Sequence, residues 1–251
     1  MLYEDESLLA LDKPANLDTL PEHAGAEAPA LLPLLHAAIR DHKPWATERA
    51  LTYLRPAHEL DFGASGVLLF AKTPPLSAAL SNAFGSEQVT RRYLVLVHGR
   101  PDQEHFDVDA KLAPHPEHPG LMRVDSRQGK KSRTTFEILE KYCDWTLLAG
   151  VPHPDRLSQI RAHLGYKRLA VAGDAMFPGG VLRLSSIKPG FRLKPKQVER
   201  PLVTRPALHL ESITLRHPVT GVTVLISAPL AKDFSVALKY LRKYASSINQ
   251  G

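Results

Sequence analysis

Three stretches of the chain carry residue types that can do chemistry. The first is His58-Glu59-Leu60-Asp61-Phe62-Gly63-Ala64-Ser65-Gly66, where an acid sits in a loop just ahead of the apolar run VLLFAK. A loop held by a rigid strand is a common place for a catalytic group. The plainer account of Asp61 is a turn aspartate that satisfies its own backbone. The second stretch is Thr90 to Gly99 (TRRYLVLVHG), which offers Tyr93 as a flat face with a hydroxyl. The third is Arg156 to Leu164 (RLSQIRAHL), in which Arg161 lies beside apolar positions. A guanidinium drawn inward there needs a carboxylate or phosphate, because an unpaired buried charge is costly. A core tyrosine and a snorkelling surface arginine are the bland alternatives.

Two other chemistries fail on spacing. Gly63-Ala64-Ser65-Gly66 begins a G-x-S-x-G nucleophile elbow, but Val67 stands where the closing glycine belongs. His58-Glu59 begins an H-E-x-x-H zinc motif, but Phe62 takes the place of the second histidine. His115 and His118 are separated by prolines that prevent a regular helix from presenting them, and they read as loop histidines.

These stretches need elements to hold them. Leu8–Leu11 reads as a strand ending at Lys13-Pro14. Residues 28–41 read as a helix with Leu31, Leu34, Leu35 and Ala38 on one side. Val67–Lys72 reads as a buried strand, followed by a short helix capped by Ser77 with Leu80, Ala83 and Phe84 on one face. Arg92–Val97 reads as a strand with Tyr93, Val95 and Val97 on one side and Arg92, Leu94 and Leu96 on the other. Thr134–Leu139 and Thr146–Val151 are further strands. Ser158–Leu164 is a helix with a Leu157, Ile160, Leu164 stripe. Leu208–Leu215 and Val222–Ile226 flank a hairpin turn, and Asp233 caps a last helix bearing Phe234, Ala237, Leu238 and Leu241. Residues 113–120 and 187–206 read as surface connections. Strands outnumber helices without regular alternation, so an α+β fold with a mixed, largely antiparallel sheet is expected.

The composition agrees with a globular chain. At 251 residues and 43% hydrophobic content, roughly 73% of the unfolded surface can be buried. One domain, or two closely packed lobes, is expected. A charged fraction of 23% and a mean hydropathy of -0.19 exclude wholesale disorder. The single Cys143 leaves no intrachain disulfide and no cysteine zinc cage. The apolar runs are too short to span a bilayer, and acids at positions 4 to 6 argue against a signal peptide. A soluble, cytoplasmic monomer with no membrane partner is expected. A net charge of +6 and a pI near 9.4 favour a polyanionic partner such as RNA.

Taken together, HELDFGASG with VLLFAK resembles the strand-entry motif H-R-L-D-x-x-T-S-G of the RluA-type RNA pseudouridine synthases. Other family-like pieces follow in order: YEDESLLALDKP, RRYLVLVHG, GKKSRTTFEILE, RLSQIRAHL, GDAMFPGG and RPALHLESITLRHPVTG. The resemblance runs over residues 2 to 243. It implies a pseudouridine synthase fold with flanking helices and a central basic cleft. It also implies a single catalytic domain over residues 1–251 with no S4-type RNA-binding domain. The activity implied is isomerisation of a uridine in structured RNA, ribosomal RNA ahead of tRNA, without metal or cofactor. Asp61 maps onto the family aspartate, Tyr93 onto the stacking tyrosine and Arg161 onto the arginine that offsets the cost of burying that carboxylate. His58, Leu60, Ser65, Gln159 and Ile160 fall within the same motifs and are assigned to substrate binding. Arg92, Lys130, Lys131 and Arg133 are candidate phosphate contacts, with Arg91 and the 188–196 loop beside them.

The chain departs from the family pattern at four of these positions. Glu59 stands in place of arginine, Ala64 of threonine and Ser158 of histidine, and Asp155 replaces the glycine ahead of the Q-I-R motif. Three readings follow: an active synthase with its own RNA target, a catalytically silent RNA-binding relative, and an unrelated hydrolase using Ser65. The broken elbow argues against the last.

Overall fold

The structure, a computed structural model, describes residues 1–21, 29–86, 88–118, 120–177, 180–194 and 196–246. The first residue of the expected 28–41 helix, Pro119, Pro178-Gly179 of GDAMFPGG and Pro195 of the basic loop lie outside the described residues.

Along the chain the elements are β1 (Tyr3–Glu4), β2 (Leu8–Lys13), α1 (Leu31–Arg40), α2 (Pro44–Thr47), β3 (Arg55–Pro56), β4 (Ser65–Ala71) and α3 (Pro74–Gly85). Then come β5 (Thr90–His98), β6 (His105–Asp109), β7 (Leu112–Pro114), β8 (Met122–Val124), β9 (Arg133–Lys141), β10 (Trp145–His153) and α4 (Gln159–Tyr166). The last are α5 (Leu184–Ile187), β11 (Leu208–Arg216), β12 (Thr223–Ser227) and α6 (Lys232–Tyr244). Short strands without regular helical crossovers make the mixed, largely antiparallel α+β fold that the sequence implies.

The chain divides into two compact units, Met1–Arg91 with Leu210–Pro229 and Arg92–His209 with Leu230–Gly251. In the first unit β4 pairs antiparallel with β2, from Leu8 opposite Ala71 to Lys13 opposite Gly66, and β11 pairs with β12. All seven residues of β4 are buried, as its unbroken apolar run demands. Gly66 has φ +119, and a Cβ there would lie 2.2 Å from the carbonyl oxygen of Leu210, so no other residue fits. Leu9, Leu51, Leu54, Leu68 and Phe70 form a core covered by Leu31, Leu32, Leu35 and Ile39 of α1.

In the second unit β5, β10, β9 and β6 pair antiparallel in that order, and β7 with β8 forms a separate two-stranded sheet. Leu94 and Leu96 of β5 join Trp145, Leu147 and the α6 stripe of Phe234, Ala237, Leu238 and Leu241 in its core.

Several local expectations are corrected. Leu34 of α1 is exposed, because the helix packs through Leu31, Leu32, Leu35 and Ile39 instead. Helix α3 starts at Pro74 after Thr73, which puts Ser77 inside it; proline's fixed φ suits the first turn. Leu157 is exposed, and α4 is buried at every residue from Gln159 to Leu164 in place of the expected stripe. Asp233 is not the cap of α6, which begins after Ala231; its carboxylate pairs with buried Arg205 at 2.7 and 2.8 Å. The 113–120 connection opens within β7, and Val203 and Arg205 of the 187–206 connection are buried.

Candidate active site

The first unit carries the acid. The loop after β3 is pinned by its backbone: Ala57 N–H donates to the Leu69 carbonyl at 2.8 Å, Ala64 N–H to the Asp61 carbonyl at 2.9 Å, and Asn16 N–H to the Phe62 carbonyl at 2.8 Å. Asp61 is half-buried at the turn that feeds β4. Leu60 and Ser65 are buried on either side of it and help to hold the loop. Lys13, at the end of β2, is fully buried, and its ammonium donates to the carbonyls of Pro14 and Leu17 at 3.0 and 2.7 Å. The turn those carbonyls belong to is the one that Asn16 ties to Phe62. Sequence reasoning treated Lys13-Pro14 only as a strand end; the LDKP piece of the resemblance was the available signal.

His58 is buried, stacks on Phe84 with centroids 5.2 Å apart, and accepts the Leu69 N–H at Nε2. Burial first, and the nearby Arg91 guanidinium second, push its pKa down to about 3. The ring is therefore neutral in the folded protein and serves the architecture of the loop. Because the unfolded chain takes up this proton at pH 6.5, stability is complete above that pH and drains away as the pH falls toward 3. By pH 5 the loss is about 2 kcal/mol. Urea unfolding between pH 7 and 5 measures it, and His58→Gln is expected to flatten the slope. Arg91 is buried with its guanidinium 5.0 Å from the Phe84 centroid, which corrects its assignment as a phosphate contact.

Glu59 points to solvent, yet its surroundings raise its pKa: desolvation leads, and repulsion from Asp18 adds to it. Where the family pattern carries a cation, this chain has placed an acid against another acid.

The second unit carries the other two residues. Tyr93 sits near the start of β5, opposite Gly150 of β10, and is 5% exposed. Its face of the strand is the one expected, with Leu94 and Leu96 turned the other way into the core. Its hydroxyl donates to Oδ2 of Asp155 at 2.7 Å. Arg161 is buried in α4 and makes a two-point pair with Asp174, Nε to Oδ2 at 2.6 Å and Nη2 to Oδ1 at 2.9 Å, while its guanidinium lies 5.2 Å from the Phe177 centroid. Asp174 was missed by sequence reasoning, which named only Asp61 as a partner for Arg161. The Gly173-Asp174 pair in GDAMFPGG was the available signal. Gly173 has φ +72, and a Cβ there would meet the Arg205 carbonyl oxygen at 2.3 Å. Asp174 Oδ1 also accepts the N–H groups of Met176 and Phe177 at 2.9 and 3.2 Å.

Gln159 donates to the Arg133 carbonyl and to the Thr134 hydroxyl at 3.0 and 3.2 Å, which fastens the start of α4 to β9; Gln159 and Ile160 are both interior. Ser158, in place of a histidine, has φ 51 and uses its hydroxyl to accept the Met122 N–H at 2.9 Å, not to cap α4. Thus the structure places Asp61, His58, Leu60 and Ser65 in the first unit, and Tyr93, Arg92, Arg161, Gln159, Ile160, Lys130, Lys131 and Arg133 in the second.

The sequence pattern of RNA pseudouridylate synthase matches residues 7–166, which contain Asp61, Tyr93 and Arg161. The chain belongs to that family. Similar proteins bear compatible names. An uncharacterized RNA pseudouridine synthase of Chlorobaculum parvum is 28% identical over 247 residues, covering 96% of this chain and 74% of that protein. Ribosomal large subunit pseudouridine synthase C of Pasteurella multocida is 33% identical over 249 residues, covering 98% and 69%. Ribosomal large subunit pseudouridine synthase D of Nitrosomonas europaea is 31% identical, and this chain spans 66% of its length. The solved structure titled Human RNA Pseudouridylate Synthase Domain Containing 4 matches in fold with a TM-score of 0.70 at 18% identity, over 96% of this chain and 92% of that one. The protein is therefore an RNA pseudouridine synthase, an isomerase acting on RNA.

Of the basic residues expected to meet RNA in this synthase, Lys130 and Lys131 are exposed, and Arg92 is half-buried. Arg133 is exposed and shares its charge with Asp107 at 2.6 Å. Among the described residues no helix is long and apolar enough to cross a membrane.

Proposed function

We propose that this synthase isomerises a uridine of ribosomal RNA, with Asp61 as the reacting carboxylate, Tyr93 as the stacking face and Arg161 as the fixed cation. The reaction breaks the bond between C1′ of ribose and N1 of uracil, turns the base, and joins C1′ to C5. The hydrogen on C5 leaves to solvent and N1 gains a proton. Asp61 serves either as nucleophile or as base toward the sugar, and both routes need a carboxylate. Supporting the reading is the setting of Arg161: a buried guanidinium whose Nε and Nη2 edge is taken by Asp174 and whose plane is fixed by that pair. A cation so held is preorganised for charge that develops during reaction. Flipping the uridine costs a few kcal/mol, which phosphate contacts from Arg92, Lys130, Lys131 and Arg133 offset. The synthase acts in this proposal as a cytoplasmic monomer.

The test is to incubate the protein with total RNA from a strain lacking it and to map pseudouridine by carbodiimide block. A new site in ribosomal RNA is expected. A site in tRNA alone would move the substrate to tRNA.

Glu59 favours a second reading, a silent RNA-binding relative, because its charge repels phosphate where the family has arginine. Retention of RNA with no pseudouridine on any cellular RNA would establish it. Under either reading Glu59→Arg is expected to tighten RNA retention and to steepen the dependence of log K on log salt by roughly 0.7 to 0.9 for each phosphate gained. The new arginine would also replace a repulsion from Asp18 by an attraction. Filter binding across a salt series measures this; an unchanged slope would show that position 59 does not face the RNA.

A further inference from the structure

We propose that Asp155 is a positioning residue that holds the hydroxyl end of the Tyr93 ring in place for the uracil turning against it. The inference rests on the stacking role given to Tyr93 above. Asp155 occupies the place where the family pattern has glycine, a residue with no acceptor on its side chain.

The geometry is specific. The Tyr93 hydroxyl donates to a carboxylate oxygen of Asp155 across 62 positions of sequence, at 2.7 Å, within the range of a charge-assisted bond. Tyr93 faces Gly150 across the strand pair, so no side chain directly opposite it on β10 braces the ring. The hydroxyl oxygen lies on the long axis of the ring, so a bond there sets where the far end of the ring points and leaves rotation about that axis to packing. Asp155 can act as an anchor because its own loop is fastened: Arg156 Nε donates to the Ser132 hydroxyl at 3.1 Å, and the Ser158 hydroxyl accepts from Met122 N–H at 2.9 Å. Stacking depends on the placement of the two rings, so a phenol anchored at its far end offers the base one place to stack while its glycosidic bond is open.

The experiment measures release of tritium from total RNA labelled at C5 of uridine, taken from a strain lacking the protein. Tyr93→Phe and Asp155→Ala are each expected to lower the maximal rate roughly 10- to 100-fold, with the apparent KM within about threefold of wild type. The double variant should be no slower than either single, because both remove one bond. Asp155→Asn, whose amide oxygen accepts the same proton, should recover most of the rate. Losses that multiply in the double variant, a change in KM alone, or no rescue by asparagine would overturn the proposal.

A second readout does not need turnover. The carbon resonance of Tyr93 Cζ, which reports the hydrogen bond at its hydroxyl, should shift in Asp155→Ala and return toward wild type in Asp155→Asn. A wild-type protein that releases no tritium would defeat the catalytic reading. In that case the Cζ shift alone would decide for or against the anchor.

Discussion

Asp61→Asn is expected to abolish pseudouridine formation and to leave RNA retention within a few-fold of wild type. The two side chains have the same shape, and the turn that carries Asp61 is held by main-chain bonds, from Ala64 N–H to the Asp61 carbonyl and from Asn16 N–H to Phe62. The buried neighbours Leu60 and Ser65 and the strand β4 are untouched by the change. What disappears is a carboxylate that can attack carbon or take a proton, and an amide does neither at neutral pH. Loss of a reacting group of this kind costs about 10⁴-fold or more in rate. Carbodiimide mapping or tritium release gives the rate, and filter binding gives retention. A variant that keeps even a hundredth of the wild-type rate would show that the reaction does not pass through this carboxylate.

Asp174→Ala is expected to cost both stability and activity. Arg161 is buried and makes its two-point pair with a carboxylate that is itself wholly shielded from solvent. Breaking such a pair from one side leaves an uncompensated interior charge, which costs about 3 to 5 kcal/mol. The same change frees the N–H groups of Met176 and Phe177 from their acceptor. For a chain of this length the thermal midpoint should fall by roughly 10 °C. Asp174→Asn separates the two effects. It keeps an acceptor for the turn but removes the charge, so its midpoint should lie between alanine and wild type while its activity stays low. Replacing both partners, Arg161→Met with Asp174→Asn, should restore much of the stability and none of the activity, because a pair removed together leaves no orphan charge. Thermal melts and tritium release on the same four proteins check these outcomes. Full activity in Asp174→Asn would show that Arg161 is set by something else.

Much of this protein is legible in local pattern. The run from Val67 to Ala71 in β4 is apolar at every position, and such a run reads as a buried strand from the sequence alone. The α6 stripe of Phe234, Ala237, Leu238 and Leu241 recurs at helical spacing and is buried as that spacing requires. The alternation in β5 placed Tyr93 on the face opposite Leu94 and Leu96 before any coordinate was known. Motif order placed the synthase in its family and singled out Asp61, Tyr93 and Arg161.

Where local pattern misled, a distant partner had overridden it. Helix α4 lacks an apolar stripe because every residue from Gln159 to Leu164 is enclosed, so charged and polar residues that look like a solvent face are interior and must find partners. Ser158 looked like the start of a helix and instead spends its hydroxyl on Met122, 36 positions away. Arg91 looked like one of several phosphate contacts and instead lies over Phe84.

The sequence by itself determined the residue types, their periodicity and the order of motifs, which are properties of neighbours along the chain. Only the tertiary structure decided that Asp174 receives Arg161, that Asp155 holds the Tyr93 hydroxyl and that His58 is buried as a neutral ring. The physical reason is that hydrogen bonds and ion pairs act over about 3 Å, whereas the partners are 13 and 62 positions apart in the first two cases. No spacing rule connects such positions until the strands and turns that carry them have folded.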